Sequence, residues 1–531
     1  MQHIPYDRLP GQPLIFLDAI RSFSKVARFF NGDFRDSKSY RKVWQNLQSF
    51  PFQRQAVSNI LLKEQERLNS PIKACENAKL IANSDCAAVL TGQQIGLLGG
   101  PLYTIIKAVA AIGWANRLSE ILKTPVVPIF WMEGEDHDFE EIRRVNVLNR
   151  GNQLVSMELE DTRSQSHQVV GWHLPGEEMT RFLAAVDDTL PPGLHHDEVI
   201  ARVRACYHSG ESLSEGFGKW LSGWLGAQGL VVIESLNPEL KRIAAPYFLK
   251  AVDRSGIHAN LFQQRKQELE EAGYPCTITP NPDFHFFYII ENGVRTAVSR
   301  TESSPNQLRE LAENHAEVFS PKAILRPIIQ DVLFPTVAIV AGPGEVSYFP
   351  QVQPLYQDFE RPMPVIIPRP GVTLLEKSWQ RNLDKLPFPI QDLFQPGELL
   401  NRKVAELSKS KVIIEVDEIL HQMNHILDEL ELQLSSENPQ LTDITGKFRK
   451  DLETRLSQYQ RRVQETIAGK DSEIVDKIQQ LHTAIYPYDH LQERMLSPLN
   501  FLCRHGFDWV AERLAAVPID EFEHNIVPME E

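Results

Sequence analysis

Along the first 375 positions, short apolar runs alternate with loops rich in glycine and charge, and the spacing predicts alternating strands and helices. Residues 87–90 form an apolar run that ends at Thr91-Gly92. Pro101 stands where a helix would begin, a position at which its missing N–H costs nothing. Leu102, Ile105, Ile106, Val109 and Ile112 follow at helical spacing, and Pro125 opens a second apolar run that ends at Trp131. The pattern predicts a βαβ unit with parallel strands and a right-handed crossover. Both intervening loops then leave the carboxyl ends of strands, where open α/β sheets bind ligands.

A second unit of the same kind follows. Residues 336–341 are a buried-strand run, Gly342-Pro343-Gly344-Glu345 is its loop, and Val352, Leu355 and Phe359 continue as a helix before a strand over 364–368. Between the two units, residues 230–233 read as a strand and Asn237-Pro238 as a helix start. Residues 286–290 and 294–298 read as a hairpin turning at 291–293. The stretch 142–229 is more polar and irregular and reads as an insertion into the core. No strict repeat is present.

The C-terminal third changes period. Val416, Ile419, Met423, Ile426, Leu430 and Leu434 alternate steps of three and four among many charges, and residues 435–439 interrupt them. Phe448, Leu452, Leu456, Tyr459, Val463 and Ile467 resume the seam, followed by Ile474, Ile478, Leu481 and Ile485. Two helices with narrow apolar seams and solvated flanks predict a protruding antiparallel coiled-coil hairpin, preferred here to a helical lid packed on the core. Such a seam could also hold a second subunit. Pro487 ends the hairpin, and 488–506 should return to the core.

Composition narrows the partners. A chain of 531 residues implies two or three domains. The net charge of −15, from 55 basic and 70 acidic residues without a basic block, argues against a nucleic-acid backbone as main partner. Five scattered cysteines form no C-x-x-C pair and read as reduced thiols rather than a disulfide frame. The first residues show no signal-peptide pattern, and no apolar stretch reaches the length of a membrane helix. A soluble, cytoplasmic protein is expected, with no membrane partner.

Two loops carry the candidate chemistry. Thr91, Gly92, Gln93 and Gln94, with Gly96, Gly99 and Gly100, supply a glycine-rich loop before a helix, where backbone N–H groups bind phosphate or carboxylate. Lys107, in the second helical turn, could reach such an anion. The loop is neither a Walker A nor a G-x-G-x-x-G motif, and a tight structural turn fits its spacing nearly as well. The second loop gathers Glu133, Glu135, Asp136, His137 and Asp138 within six residues. Such a group could hold Mg²⁺ with a nucleotide, bind an amine, or act as a general base. The rival structural role has Asp138 capping a helix through 140–142, with His137 bonded to a carbonyl. No spacing indicates a dedicated metal site. Arg326 and Gln330 lie four apart beside the second glycine loop, where Arg326 could clamp an oxyanion or instead meet Asp331. Gln492-Glu493-Arg494 could close a pocket, although pinning the returning helix is the safer reading.

The segments TGQQIGLLGGPLYTIIK, VVPIFWMEGEDHDFEE, SPKAILRPIIQDVLFPTVAIVAGPGEVSYF, PVIIPRPG and LQERMLSPLNFL closely resemble the cysteine ligases of bacillithiol biosynthesis, the BshC family, nearly end to end. The resemblance implies an α/β fold: a Rossmann-like parallel-sheet core related to class I aminoacyl-tRNA synthetases, with connecting-peptide insertions and a C-terminal antiparallel α-helical coiled coil used for homodimerisation. Its domains would be the core over 1–141 and 230–375, an insertion over 142–229, the coiled coil over 400–486, and a return segment over 487–531 packing on the core. The synthetase HIGH signature is absent, with Gly100-Pro101-Leu102-Tyr103 roughly in its place. The implied reaction joins the carboxylate of cysteine to the amine of glucosaminyl malate. That bond needs activation, expected from ATP with Mg²⁺ as an acyl-adenylate or acyl-phosphate. Residues 92–100 would hold anionic groups, with Lys107 and Arg326 offsetting charge. Asp136 or His137 would deprotonate or orient the amine, and Asp138 would hold the imidazole tautomer; alternatively the acidic loop binds the cysteine ammonium. Thr91, Gly92, Gln93, Gln94, Gly100, Tyr103, Lys107, Glu135, Arg326, Gln330, Asp331, Gly342, Gly344, Glu345, Gln492, Glu493 and Arg494 are the expected binding residues. The alternatives are a nucleotide-binding coiled-coil scaffold without ligase chemistry, an aminoacyl-tRNA-synthetase-like ligase, and a metal-dependent hydrolase.

Overall fold

The computed structural model describes residues 1–400 except 166, 280, 387 and 398, short pieces between 422 and 456, and residues 472–529. The described residues divide into two compact bodies, one of Met1–Leu374 with Gln492–Met529, the other within Leu375–Leu491.

The first body is built on a five-stranded parallel sheet. In chain order its elements are strand β1 (Ala87–Gln94), helix α1 (Leu102–Leu122), strands β2 (Val126–Glu133) and β3 (Val231–Glu234), helix α2 (Arg326–Leu333), strand β4 (Thr336–Ala341), helix α3 (Pro343–Asp358) and strand β5 (Val365–Pro368). The strands lie in the order β5-β4-β1-β2-β3, every neighbour parallel. All residues of β2, β3, β4 and β5 are buried, as a parallel sheet covered on both faces requires. The βαβ units expected at β1-α1-β2 and β4-α3-β5 are therefore both present, and the order reverses between β1 and β4.

The first strand runs past Thr91-Gly92, where the apolar pattern ends, to Gln94. Pairing outlasts the pattern because Gly92 faces Trp131, and a Cβ there would come 2.7 Å from the Trp131 carbonyl oxygen. Thr91 adds a bond to the other neighbour, its hydroxyl donating to the Val340 carbonyl at 2.9 Å.

Residues 142–229 are more regular than their polarity suggests. They hold an antiparallel ribbon, Arg144–Leu148 with Leu154–Glu158, and the helices Glu177–Thr189, His196–Cys206 and Leu213–Leu225. The last helix packs on β3 and on the glycine turn that follows β1, burying Phe217, Trp220, Leu221, Trp224 and Leu225. Gly99, at φ +92°, faces Trp220 so closely that a Cβ would lie 2.5 Å from the indole nitrogen. The segment is thus partly core, with an apolar helix face diluted among polar neighbours.

The expected hairpin is Phe284–Glu291 with Val294–Ser299, turning through Asn292 and Gly293 at positive φ, and Phe319–Pro321 pairs on its other side. Residues 492–529 belong to this body, and their strand His524–Met529 pairs with Gln2–Ile4. In the second body, helix Lys377–Leu383 packs against Ser472–Ile485, and the Phe394 and Tyr486 rings meet edge to face at 6.0 Å. Most of the expected coiled-coil hairpin lies outside the described residues. Among those described, no helix is long and apolar enough to cross a membrane.

Glu234 closes β3 in the core with one carboxylate oxygen lacking a hydrogen-bond partner among the described residues. Burial raises its pKa from 4.5 to about 7. The folded chain then binds the proton more tightly than the unfolded one, so the stability this proton confers is complete below pH 4.5 and lost as pH rises through 7. Glu234→Gln is expected to flatten that fall, gaining up to about 3 kcal/mol on the wild type between those limits. Urea denaturation at a series of pH values measures it, and equal slopes in both proteins contradict the assignment.

Candidate active site

Crossovers that leave β1 and β4 on opposite sides of the reversal open a crevice at the carboxyl ends of the two strands. A cleft of about 400 Å³ occupies this place. Its walls are Leu90–Gln94 from β1, Trp131 and Glu133 from β2, Tyr103 and Lys107 from α1, and Arg326 and Gln330 from α2. The Gly342–Glu345 turn, Tyr348, Asp136, Glu141, Arg369 and Arg494 complete it.

The buried charges are paired. Lys107 is 1% exposed, and its ammonium donates to Glu345 at 2.7 Å, to Gln93 at 3.3 Å, and to the Gly92 carbonyl. Burial lowers its pKa against the pull of Glu345. Arg326 meets Glu133 at 3.2 Å, and the Trp131 indole also donates to Glu133 at 3.2 Å. Burial opposes the Arg326 charge, but Glu133 and Tyr348 hold it more firmly protonated than usual. Burial raises Glu133 in turn, against the attraction of Arg326.

Asp136 is set differently. Burial pushes its pKa up, yet Gln94 at 2.7 Å, Arg295 at 3.4 Å, and the amides of His137 and Asp138 hold it below the ordinary carboxylate range. Gln94 also donates to Glu141 at 2.7 Å, whose pKa burial raises. One wall therefore carries a firmly ionised carboxylate between two that protonate more easily. Environments that separate neighbouring acids in this way suit them to different roles.

Several expected residues stand elsewhere. Asp138 caps the short helix Phe139–Ile142 by accepting the Glu141 N–H at 3.2 Å, so it does not hold the His137 tautomer. His137 lies outside the cleft wall, its ring 5.1 Å from that of His167 and 6.0 Å from that of Tyr288, and burial lowers its pKa. Glu135 turns into the core to Lys241 at 2.7 Å and Ser320 at 2.6 Å. Asp331 faces away from Arg326 and accepts the Tyr356 hydroxyl at 2.5 Å beneath Arg361. Gly100 lies in the buried turn against Gly96 and Thr104. Gln492 exchanges two bonds with Leu374, and Glu493 pairs with Arg369 at 2.6 Å and with the Val372 amide at 2.7 Å. These two pin the returning helix, whereas Arg494 beside them reaches the cleft.

The helix-start anion site changes as well. The Leu102 amide donates to the Leu496 carbonyl at 2.8 Å, which occupies the α1 terminus. At α3 the Gly342 amide is taken by Glu345 at 2.7 Å, but Gly344 has open space where a Cβ would sit. Sequence reasoning counted Glu133 only within the acidic loop, not among the binding residues, and it gave no cleft role to Glu141, Trp131, Tyr348 or Arg369. Only Glu133 carried a signal, its place in the acidic run; Arg369 comes in through an ion pair 124 positions away.

Comparison with known proteins agrees with this architecture. Residues 1–370 match the family described as "Bacillithiol biosynthesis BshC, N-terminal Rossmann-like domain" and residues 372–529 the one described as "Bacillithiol biosynthesis BshC, C-terminal coiled-coil domain". The chain belongs to the BshC family. A protein of Salinibacter ruber is 29% identical over 538 residues, covering 98% of this chain and 97% of its own. One of Solibacter usitatus is 29% identical over 526 residues, with 98% of each covered, and one of Carboxydothermus hydrogenoformans is 29% identical over 528 residues, with 96% and 97% covered. All three bear the name "Putative cysteine ligase BshC".

The Arg369–Glu493 pair is 3% and 2% exposed, so removing one partner strands a buried charge. Glu493→Gln is expected to destabilise the chain by about 3–5 kcal/mol, the usual penalty for such a break. A chemical-denaturation midpoint close to the wild type would contradict the pinning role.

Proposed function

We propose that this chain is a cysteine ligase of bacillithiol biosynthesis, joining the carboxylate of cysteine to the amine of glucosaminyl malate at the expense of ATP. The observation that carries the reading is one switch-point cleft lined by the carboxylates of Asp136 and Glu141, which share Gln94, and also by Arg326, in contact with Glu133 at 3.2 Å, and by the open Gly344 backbone. Amide formation from an acid and an amine needs those two kinds of surface: one for a cationic amine, the other for oxyanions.

ATP with Mg²⁺ would supply the activation, turning the cysteine carboxylate into a mixed anhydride with AMP or phosphate, which leaves as the C–N bond forms. Arg326 and the Gly344 backbone fit that anionic group, and Arg494, exposed at the cleft and without a carboxylate partner among the described residues, adds charge at the rim. Asp136, ionised at neutral pH, binds the substrate ammonium and orients its nitrogen. Glu133, whose pKa burial raises, is the better proton acceptor as nitrogen attacks and the C–N bond forms. Lys107 is committed to Glu345 and Gly92, so it shapes the floor between β1 and β4 and does not approach the reacting atoms. Holding both reactants in one cleft converts a bimolecular encounter into a local step.

The test is an end-point mass-spectrometric assay with purified protein, cysteine, glucosaminyl malate and ATP–Mg²⁺, each omitted in turn. The cysteinyl amide is expected only in the complete mixture. Asp136→Asn is expected to lower kcat/KM by roughly 10²–10⁴-fold while circular dichroism shows the chain still folded. Turnover near wild type in that variant removes Asp136 from the mechanism. A wild-type chain that forms no product returns the scaffold reading.

A further inference from the structure

Beyond Asp136 the acidic end of the cleft meets a group of cations that the proposed chemistry leaves unused. The Phe284–Glu291 and Val294–Ser299 ribbon carries Tyr288 and Arg295, and Phe319–Pro321 pairs alongside. The Lys322 amide extends that ladder by donating to the Phe286 carbonyl at 2.8 Å, and Ala323, next in the chain, lines the cleft. Sheet register thereby brings two positive side chains to one ring. The Arg295 guanidinium carbon lies 4.2 Å from the Tyr288 centroid and the Lys322 ammonium 4.7 Å from it, with Phe284 at 5.5 Å from the same ammonium.

Neither cation is fully answered. Arg295 is 9% exposed and reaches Asp136 and the Pro321 carbonyl only at 3.4 Å each, and its Nε has no hydrogen-bond partner among the described residues. Asp136 is already shared with Gln94 and two backbone amides. Lys322 is half-buried and has no carboxylate within ion-pair distance among the described residues. Burial, then Arg295, lowers its pKa to about 8. His285 adds no third positive charge, because burial, then Arg300 and Lys322, lowers its pKa to about 4. The His137 ring stands beside Tyr288 with Nδ1 unbonded, 3.7 Å from Asp136. A half-buried ammonium that has aromatic faces but no carboxylate beside it is costlier than a neutral side chain in the same place. Packing alone would place a neutral side chain between Phe284 and Tyr288. A lysine held there, one residue from the cleft wall, is suited to a ligand that brings negative charge.

We propose that Lys322 and Arg295, gathered on Tyr288 at the acidic end of the cleft, form an anion subsite for the oxyanion tail of a ligand whose reacting end lies in the cleft. The shared chemistry is a multiply charged oxyanion. Its source rests on the ligase reading: the phosphate chain of a nucleotide, or the dicarboxylate arm of the amine substrate. Aromatic faces hold the two cations in place before the ligand arrives, and the ligand charge relieves their mutual repulsion.

Isothermal titration calorimetry on the full chain, at constant ionic strength, tests this with inorganic pyrophosphate and L-malate as separate probes. Lys322→Met is expected to raise the Kd of at least one probe about tenfold, and Lys322→Arg to restore it. A response to pyrophosphate assigns the phosphate source, and a response to malate the dicarboxylate. Lys322→Gln is measured in parallel, so that a packing defect in one variant does not decide the outcome. Wild-type affinities in Met and Gln variants alike, or no binding of either probe by the wild type, overturn the subsite. The probes report binding without turnover, so this result and the fate of the ligase assay are separable.

Discussion

The site depends on a constraint of connectivity. From β1 the chain winds outward through β2 to β3, while β4 winds the other way to β5, so the crossover helices that follow β1 and β4 leave their shared boundary in opposite directions. A crevice is left there by geometry rather than by erosion of packing. The strands on either side are buried, which leaves their carboxyl ends and the turns after them as the places where polar groups can face a ligand.

Charge is admitted to this crevice on strict terms. Lys107 and Arg369 are drawn out of water and Arg326 partly so, and each is held against a carboxylate, from Glu345, Glu493 and Glu133 in turn. Two of these pairs do mechanical work. Lys107 joins the end of β1 to the start of α3 across the switch point, and Arg369 fastens the returning helix that brings Arg494 to the cleft. The third, Arg326–Glu133, leaves a carboxyl that burial makes easier to protonate beside an Asp136 held below the ordinary carboxylate range. Structural pairing and chemical tuning thus come from the same desolvation.

The acidic loop shows how far local reading reaches. Five of its six residues bear charge or an imidazole, and as a set they signalled chemistry. The fold divides them. Glu133 and Asp136 face the cleft, Glu135 turns inward to Lys241, Asp138 closes a helix turn, and His137 faces the aromatic patch at His167 and Tyr288. Side chains leaving a strand end alternate in direction, and each then meets whatever partner the other elements supply. A run of like residues therefore identifies a neighbourhood but not the role of each member. The glycine turn gives the converse case: its spacing suited an anion loop, yet Trp220, more than a hundred positions away, fills the space that Gly99 leaves.

By itself the sequence determined both βαβ units, their carboxyl-end loops and the hairpin at Asn292-Gly293, because apolar period, Pro101 and turn glycines act over a few residues. Its apolar steps of three and four in the last third likewise agree with the coiled-coil family matched there. Tertiary structure alone decided that residues 142–229 contribute a core helix, that Glu493 meets Arg369, and that Lys107 is spent on Glu345. Those outcomes depend on which distant segments share one desolvated space, and burial makes a charge choose a partner that no local spacing can name.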